Sequence, residues 1–177
     1  MPTIVKLPVP KLDSDKRLSK EEEGVLNYIS HNPINLLHIK PEYKTNQRLL
    51  LAAITKNYQI WGYVDSAIQT DSQFRRISLT KNHHVLTYFS DEFKGRSDNM
   101  LAAMRCNINA IHYALPELRH NKDFIKKAYY ISSDTLSVLP QALWTDLEFI
   151  TELSVFDSQI LSHLPRQFSC ESEFLLA

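Results

Sequence analysis

A cysteine and a histidine lie close together near the middle of the chain, at Cys106 and His112. A thiol beside an imidazole, with an acid nearby, is the arrangement of a nucleophile and its general base. The two side chains could approach each other if they stood on neighbouring short helices. No sequence signature typical of a cysteine enzyme surrounds Cys106, however. A structural thiol is therefore the favoured interpretation, and the sequence predicts a protein that is not an enzyme.

Two adjacent histidines, His83 and His84, are the strongest candidates for metal ligands. Neighbouring residues on a helix point in different directions, so one metal ion is not expected to contact both rings. The adjacent acids Asp91 and Glu92 could serve in acid–base chemistry, but they are interpreted as solvated residues at a helix start. The sequence thus predicts neither a metal site nor a cofactor.

Three tyrosines, Tyr63, Tyr88 and Tyr113, follow one another at a constant spacing. Such a column could stack nucleic-acid bases, as helical-repeat proteins that bind RNA do. It could equally be packed between repeats, with each hydroxyl group at the rim. The packed column is the favoured interpretation.

The constant spacing reflects a repeat of 25 residues that runs about six times through residues 22–171. It aligns Asn32, Asn57, Asn82 and Asn107, followed by Ser132 and Asp157, and it aligns an apolar column that includes Trp61 and Ile111. A fixed period of this size indicates units that bury their apolar faces by stacking on one another. The predicted fold is all-α, a right-handed α-solenoid of helix-turn-helix repeats. Residues 1–21 are expected to form an extended arm and residues 172–177 a short tail.

Each unit is predicted to contain two helices joined at the asparagine column. That asparagine is expected to adopt the left-handed conformation that often ends a helix. Good capping residues precede the first helix of four units, namely Asn46, Asp71, Asn121 and Asp146, and Ser97 or Asp98 is expected to cap a fifth.

Several segments resemble a known tandem repeat. The first helices at 50–54 and 100–104 carry an alanine-rich apolar pattern, and the segments 82–94 and 107–119 carry the turn and the second helix. They resemble the family called domain of unknown function 4116. The glycine of that family's turn is missing in every copy, and the last two copies keep only the apolar skeleton. The resemblance implies the helical-repeat fold and no particular activity.

Composition excludes several functional classes. The chain has 177 residues with 20 basic and 20 acidic side chains, so no net charge steers it towards nucleic acid or an anionic membrane. No apolar stretch is long enough for a membrane span, and no secretory signal is expected at the N-terminus. Two cysteines, Cys106 and Cys170, are compatible with a reducing compartment, and a cytoplasmic location is expected.

Charge is unevenly distributed within the units. Between the third and tenth positions of the first five units, the first helices carry no acidic residue. Their basic residues form the basic set: Lys56, Arg75, Arg76, Lys81, Arg105, Lys126 and Lys127. Helix dipoles explain basic residues at helix ends but not the mid-helix pairs Arg75-Arg76 and Lys126-Lys127. We expect this set to bind an acidic surface of another protein.

Two other functions are compatible with the sequence. The same basic stripe could bind nucleic acid, which would make binding strongly dependent on salt. The tail from Ser169 to Ala177 resembles the acidic, serine-containing C-termini of bacterial effectors translocated by type IV secretion. An effector, or a regulator of another effector, is therefore a more specific form of the protein-binding hypothesis. No small-molecule substrate is evident.

Overall fold

The computed structural model describes residues 17–156 and residue 160. All regular elements in this part of the chain are helices, which confirms the all-α prediction. The predicted N-terminal arm lies mostly outside the described residues, as do the C-terminal tail and most of the sixth unit after residue 156.

Each of the first five units contains a first α-helix, a 3₁₀ helix and a short α-helix, and the sixth unit is described only as far as its first helix. In chain order the elements are α1 (Lys20–His31), η1 (Pro33–His38), α2 (Pro41–Lys44), α3 (Gln47–Lys56), η2 (Tyr58–Tyr63), α4 (Ser66–Thr70), α5 (Ser72–Lys81), η3 (His83–Tyr88), α6 (Asp91–Gly95), α7 (Ser97–Cys106), η4 (Ile108–Tyr113), α8 (Pro116–Arg119), α9 (Lys122–Ile131), η5 (Ser133–Val138), α10 (Gln141–Trp144) and α11 (Leu147–Phe156).

The predicted second helix is therefore wrong in detail, because it is two elements. Apolar residues three apart share one face of a 3₁₀ helix as well as of an α-helix, so the spacing did not separate the two. The start of a short α-helix then divides the predicted second helix. Ser90 accepts a hydrogen bond from the backbone of Phe93 at 3.2 Å and begins α6, whereas Pro116 stands in the first turn of α8.

The predicted caps of the first helices are largely confirmed. Asn46, Asp71, Asn121 and Asp146 each accept a hydrogen bond from a backbone amide of the first turn, at 2.6 to 3.1 Å. The fourth unit differs from the prediction. Its helix α7 already includes Ser97, and the capping position is held by Arg96, whose side chain makes no capping hydrogen bond.

The predicted left-handed conformation of the asparagine column is also wrong. Asn107 has extended backbone angles, and no residue in the described part of the chain has a positive φ. The asparagine instead begins the next element, because its side-chain oxygen accepts a hydrogen bond from the amide two residues later. Asn57, Asn82 and Asn107 make this contact at 3.1 Å, and Asn32 makes it at 3.3 Å.

Equivalent elements of successive units pack against each other. The first helices from α1 to α9 contact one another in order, and so do the 3₁₀ helices from η1 to η5. A short α-helix packs on the first helix of the following unit, as α4 does on α5 and α6 on α7. The fully buried side chains between these layers include Leu50, Phe74, Leu86, Met100 and Phe124.

Hydrogen bonds connect neighbouring units at distances of about one repeat along the chain. The amide nitrogen of the Asn57 side chain donates to the carbonyl oxygen of Ser30, 27 residues earlier, at 3.3 Å. Asn82 donates to Ile54, 28 residues earlier, also at 3.3 Å. The same asparagine side chain thus caps its own unit and binds the preceding one.

Candidate functional site

The structure places the Cys106 thiol at the end of α7, half-buried against α5. Burial raises the pKa of the thiol above its ordinary value, and hydrogen bonds with Thr80 and Arg76 oppose this shift. His112 lies instead close enough to His83 to lower the pKa of that imidazole. The thiol bonds to Thr80 and Arg76, and no contact with His112 occurs among the described residues, while burial disfavours the reactive thiolate.

The adjacent histidines belong to an aromatic cluster on the 3₁₀ layer. The rings of His83 and His84 lie 4.2 Å apart, so the expectation that they point in different directions is wrong. His84 Nδ1 and the Tyr113 hydroxyl are 2.6 Å apart, and the ring of Tyr58 lies 5.3 Å from that of His84. Burial is the main cause that lowers the pKa of His83, followed by the two neighbouring histidines.

The tyrosine column is packed between units only in part, since Tyr113 is half-buried against the core but the other two members are exposed. Tyr63 is 39% exposed and Tyr88 is 45% exposed. The Tyr88 ring lies against Gly62 of the preceding unit, where an added Cβ would come within 2.8 Å of it. Its hydroxyl donates to the Gln59 carbonyl at 3.4 Å. Tyr88 therefore covers the backbone of the preceding 3₁₀ helix while part of its ring remains exposed.

Two members of the basic set are engaged by the fold itself. Arg75 Nε donates to the carbonyl oxygen of Gln69 at 2.7 Å, and its Nη2 donates to Thr70 at 3.2 Å. These are the last carbonyl groups of α4, which otherwise have no partner within their helix. Lys126 forms an ion pair with Glu152 of α11 and lies over the Phe149 ring. Both mid-helix pairs thus contribute to contacts between elements, and Arg76 also does so through its hydrogen bond with the Cys106 thiol.

Arg76 lines a groove between α5 and α7 with a volume of about 210 Å³. Four groove residues of each helix recur at the spacing of a single helical face. They are Ser72, Arg75, Arg76 and Leu79 on α5, and Asn99, Ala102, Ala103 and Cys106 on α7. The small side chains of α7 leave the space beside Arg76 open.

The other members of the basic set are exposed. Lys56 contacts Asn27 Oδ1 at 3.3 Å, whereas Lys81, Arg105 and Lys127 have no ion-pair partner among the described residues. These three stand on α5, α7 and α9, which pack in that order. The exposed positive charge is therefore carried by three consecutive first helices, mostly near their carboxyl ends.

A second cleft, which the sequence did not indicate, opens where the second and third units meet. Its volume is about 190 Å³. Its walls are mainly aromatic, and the Trp61 and Phe89 rings lie 5.3 Å apart. It is lined by Trp61, Gln69, Thr70, Arg75, Tyr88, Phe89, Ser90 and Phe93. The only sequence signal was Arg75 itself, which stands in a column that is otherwise apolar.

No group of three histidine, cysteine or acidic side chains suited to a metal ion occurs among residues 17–156 and 160. None of the helices in this part of the chain has the length and hydrophobicity needed to cross a bilayer.

Comparisons with protein-family models, with curated proteins and with solved structures give no match to this chain.

Proposed function

We propose that this chain is a non-enzymatic protein-interaction module that binds an acidic surface of another protein through the outer face of its first helices. The units would stack as a right-handed α-solenoid of about six repeats. Hydrogen bonds between residues 27 and 28 apart support the stacked arrangement. Stacked units commonly offer such an extended face to a partner. The handedness and the number of units remain predictions.

The exposed basic residues on consecutive helices are the observation that carries this proposal. Lys81, Arg105 and Lys127 lack ion-pair partners in the described part of the chain, and the open groove between α5 and α7 lies beside Arg76. Exposed charges of one sign on three adjacent elements raise the local potential for an opposite charge. Arg75 and Lys126 contribute less to this outer face, because both are bonded to neighbouring elements of the fold.

Charge reversal tests the proposal directly. The triple variant Lys81→Glu, Arg105→Glu and Lys127→Glu should lose the proteins that the wild-type chain captures from its native source. The acidic surface of the partner would then face negative charge and be repelled, so the loss of captured protein should exceed tenfold in quantitative mass spectrometry. Unchanged capture would contradict the assignment of this face.

A matched control distinguishes the effect of charge on the first-helix face from the effect of total net charge. Arg17, Lys20 and Arg96 are exposed and lie outside the basic set. Their reversal to glutamate changes net charge by the same amount and should leave capture intact. Equal loss in both triple variants would show that total charge, and not the first-helix face, determines binding.

Nucleic-acid binding along the same residues is the alternative function, and two further measurements decide between them. Nuclease treatment before capture should leave the bound proteins unchanged. A labelled single-stranded oligonucleotide should bind weakly, if the partner is a protein. Tight oligonucleotide binding that falls steeply with salt would favour the alternative.

The proposals on family and delivery rest on sequence alone. The resemblance to domain of unknown function 4116 supports a repeat protein and remains a prediction. The effector hypothesis depends on residues 169–177, which lie outside the described part of the chain. A translocation reporter fused to the full-length and the tail-deleted chain tests it, because equal signals from both fusions would remove the argument.

A further inference from the structure

The aromatic cleft between the second and third units contains an arginine where the repeat requires an apolar residue. Arg75 occupies the fourth position of its unit. The equivalent residue Val25 is half-buried, and Leu50, Met100, Ile125 and Ile150 are buried. Packing alone would favour an aliphatic side chain at this position as well, because a charge removed from water is costly without a partner. The bonds of Arg75 to the end of α4 explain part of this departure, but they leave its positive charge without an acidic partner.

Arg75 is held in place but its charge is not neutralised. Its bonds to the Gln69 and Thr70 carbonyls use two of the five N–H donors of a guanidinium. Gln69 is itself fixed, since its side-chain nitrogen donates to the Trp61 carbonyl at 2.7 Å. Among the described residues, no carboxylate lines the cleft or pairs with Arg75. The remaining donors are therefore suited to a planar acidic group.

The rest of the cleft suits an apolar ring. Phe89 and Phe93 meet edge to face with their centres 4.9 Å apart, and Trp61 lies against Phe89. A volume of about 190 Å³ exceeds the roughly 150 Å³ of a cavity that holds benzene. The cleft thus has room for one aromatic side chain but is smaller than a typical small-molecule pocket of about 300 Å³ or more.

The cleft continues into the groove of the basic face. Arg75 and Phe93 line both the cleft and the groove between α5 and α7. We propose that the cleft anchors the bound protein by taking an aromatic side chain of an extended segment while Arg75 binds the carboxylate of an adjacent acidic residue. This inference rests on the proposed function, because it names the recognition element of the same partner.

Matched peptides titrated into the full chain test the anchor. Acetyl-Ala-Glu-Phe-Ala-amide should bind at least tenfold more tightly than the versions that carry Gln for Glu or Ala for Phe. The indole N–H of Trp61 should shift in NMR spectra, whereas that of Trp144, the only other tryptophan, should not. Equal binding of all three peptides, or an unshifted Trp61 signal, would overturn the proposal.

Arg75→Met supplies the matched protein variant, because methionine already stands at the equivalent position 100. It should erase the preference for Glu over Gln and keep the preference for Phe over Ala. A preference for Glu that survives in this variant would overturn the role of Arg75. If the variant does not fold, the peptide comparison on the wild-type chain still decides the question.

Two further arms identify the source of the ligand and separate the two proposals. Free 3-phenylpropionate should bind more weakly than the Glu-Phe peptide, and tighter binding would overturn the assignment to a protein segment. The triple reversal at Lys81, Arg105 and Lys127 should keep the Trp61 response to the peptide. Loss of that response would overturn the proposal that the cleft is a separate anchor. If the triple variant loses capture of the partner but keeps the Trp61 response, the cleft binds the peptide independently of the basic face.

Discussion

The asparagines that follow α3 and α5, Asn57 and Asn82, are hydrogen-bonded in two directions. The Asn82 side-chain oxygen accepts from the His84 amide at 3.1 Å, and its nitrogen donates to the Ile54 carbonyl at 3.3 Å. The first contact replaces a missing partner at the start of η3, and the second does so at the carboxyl end of α3. One side chain therefore stabilises both a local turn and the contact between units.

Asn82→Ala should lower the free energy of unfolding by about 1–2 kcal/mol, because it removes a cap and leaves two backbone groups without partners. Urea denaturation followed by circular dichroism measures the change. Asn109→Ala is the control, since Asn109 is exposed on η4 and should change stability by less than about 0.5 kcal/mol. Equal effects of the two substitutions would refute the double role.

Glu22 holds the first two units together through its carboxylate. It accepts from the Ser19 backbone amide at 2.7 Å, from Arg48 at 2.7 and 3.0 Å and from the Asn46 side chain at 2.9 Å. The Ser19 bond is the largest cause and Arg48 the next, and together they lower the pKa of Glu22 from 4.5 to about 2. These bonds require the ionised form.

The lowered pKa predicts how stability depends on pH. Since the folded state binds the Glu22 proton less readily than the unfolded state, the contribution of Glu22 is complete above pH 4.5 and is lost as the pH falls to about 2. Glu22→Gln should be less stable than wild type at pH 7 and should lose less stability across that interval. Glu23→Gln, at an exposed neighbour, should keep the wild-type profile. Parallel profiles for Glu22→Gln and wild type would contradict the mechanism.

For single residues, the caps of the first helices could be predicted from the sequence, but the backbone conformation of the asparagine column could not. Asn46 or Asp71 needs only the following turn of its own helix to be recognised as a cap. Asparagine after a helix is equally common in a left-handed ending and at the start of a new turn. Choosing between them requires the position of the next amides, which depends on the 3₁₀ geometry.

Small side chains lie at equivalent buried positions of the stacked first helices. Ala53, Ser78, Ala103 and Ala128 occupy equivalent positions on α3, α5, α7 and α9, and all four are buried. Ser78 departs from the alanine pattern. Its hydroxyl group is fully buried and has no hydrogen-bond partner in the described part of the chain. A buried polar group without a partner destabilises the folded state.

Ser78→Ala should therefore raise the free energy of unfolding by about 0.5–1.5 kcal/mol, through loss of the unpaired hydroxyl and gain of helix propensity. Chemical denaturation measures the difference. The reverse substitution Ala103→Ser, at the equivalent buried position, should lower stability by a similar amount. Destabilisation by Ser78→Ala would indicate that the hydroxyl group has a partner in solution.

Among the elements, the first helices could be predicted from periodicity and capping, and the 3₁₀ helices could not. Trp61 and Val64 stand three residues apart, a spacing that suits both helix types. Ser90 and Pro116 are both residues that can begin a helix, but the apolar spacing predicts one continuous second helix. In the second unit the short α-helix is α4, which begins after Asp65 and supplies the carbonyl groups that Arg75 binds.

The molecule as a whole distributes its contacts unevenly along the stack. Within the described residues, α5 packs between α3 and α7, whereas α1 has a first helix on one side only. When each unit is stabilised by its neighbours, inner units open less often than outer ones. The candidate cleft and the basic face both belong to inner units, where the supporting elements are held on two sides.

Hydrogen exchange tests this gradient. After correction for intrinsic rates, backbone amides of α5 should exchange at least tenfold more slowly than those of α1. Mass spectrometry of peptic fragments resolves the two helices in one experiment. Equal protection across α1 to α9 would mean that the described part opens as a single cooperative unit.

Of the two candidate sites, only the basic set could be predicted from the sequence. The basic set was visible because its members lie on equivalent helices. The cleft was not, since Trp61 and Phe93 come from different units and Arg75 meets them only because α4 and α6 pack on the following helices. Such a site depends on the offset between units, which no single unit contains.

The bonding of Asn57 and Asn82 in both directions also limits how a chain of this kind can change length during evolution. A single inserted residue would move an asparagine away from the amide ahead of it or the carbonyl behind it. Duplicating a whole segment of 25 residues, the interval between Asn57 and Asn82, supplies both partners with the asparagine. Growth in complete segments would lengthen the binding surface without disturbing a junction already present. Length and recognition could then evolve separately, one by duplication and the other by substitution at exposed positions.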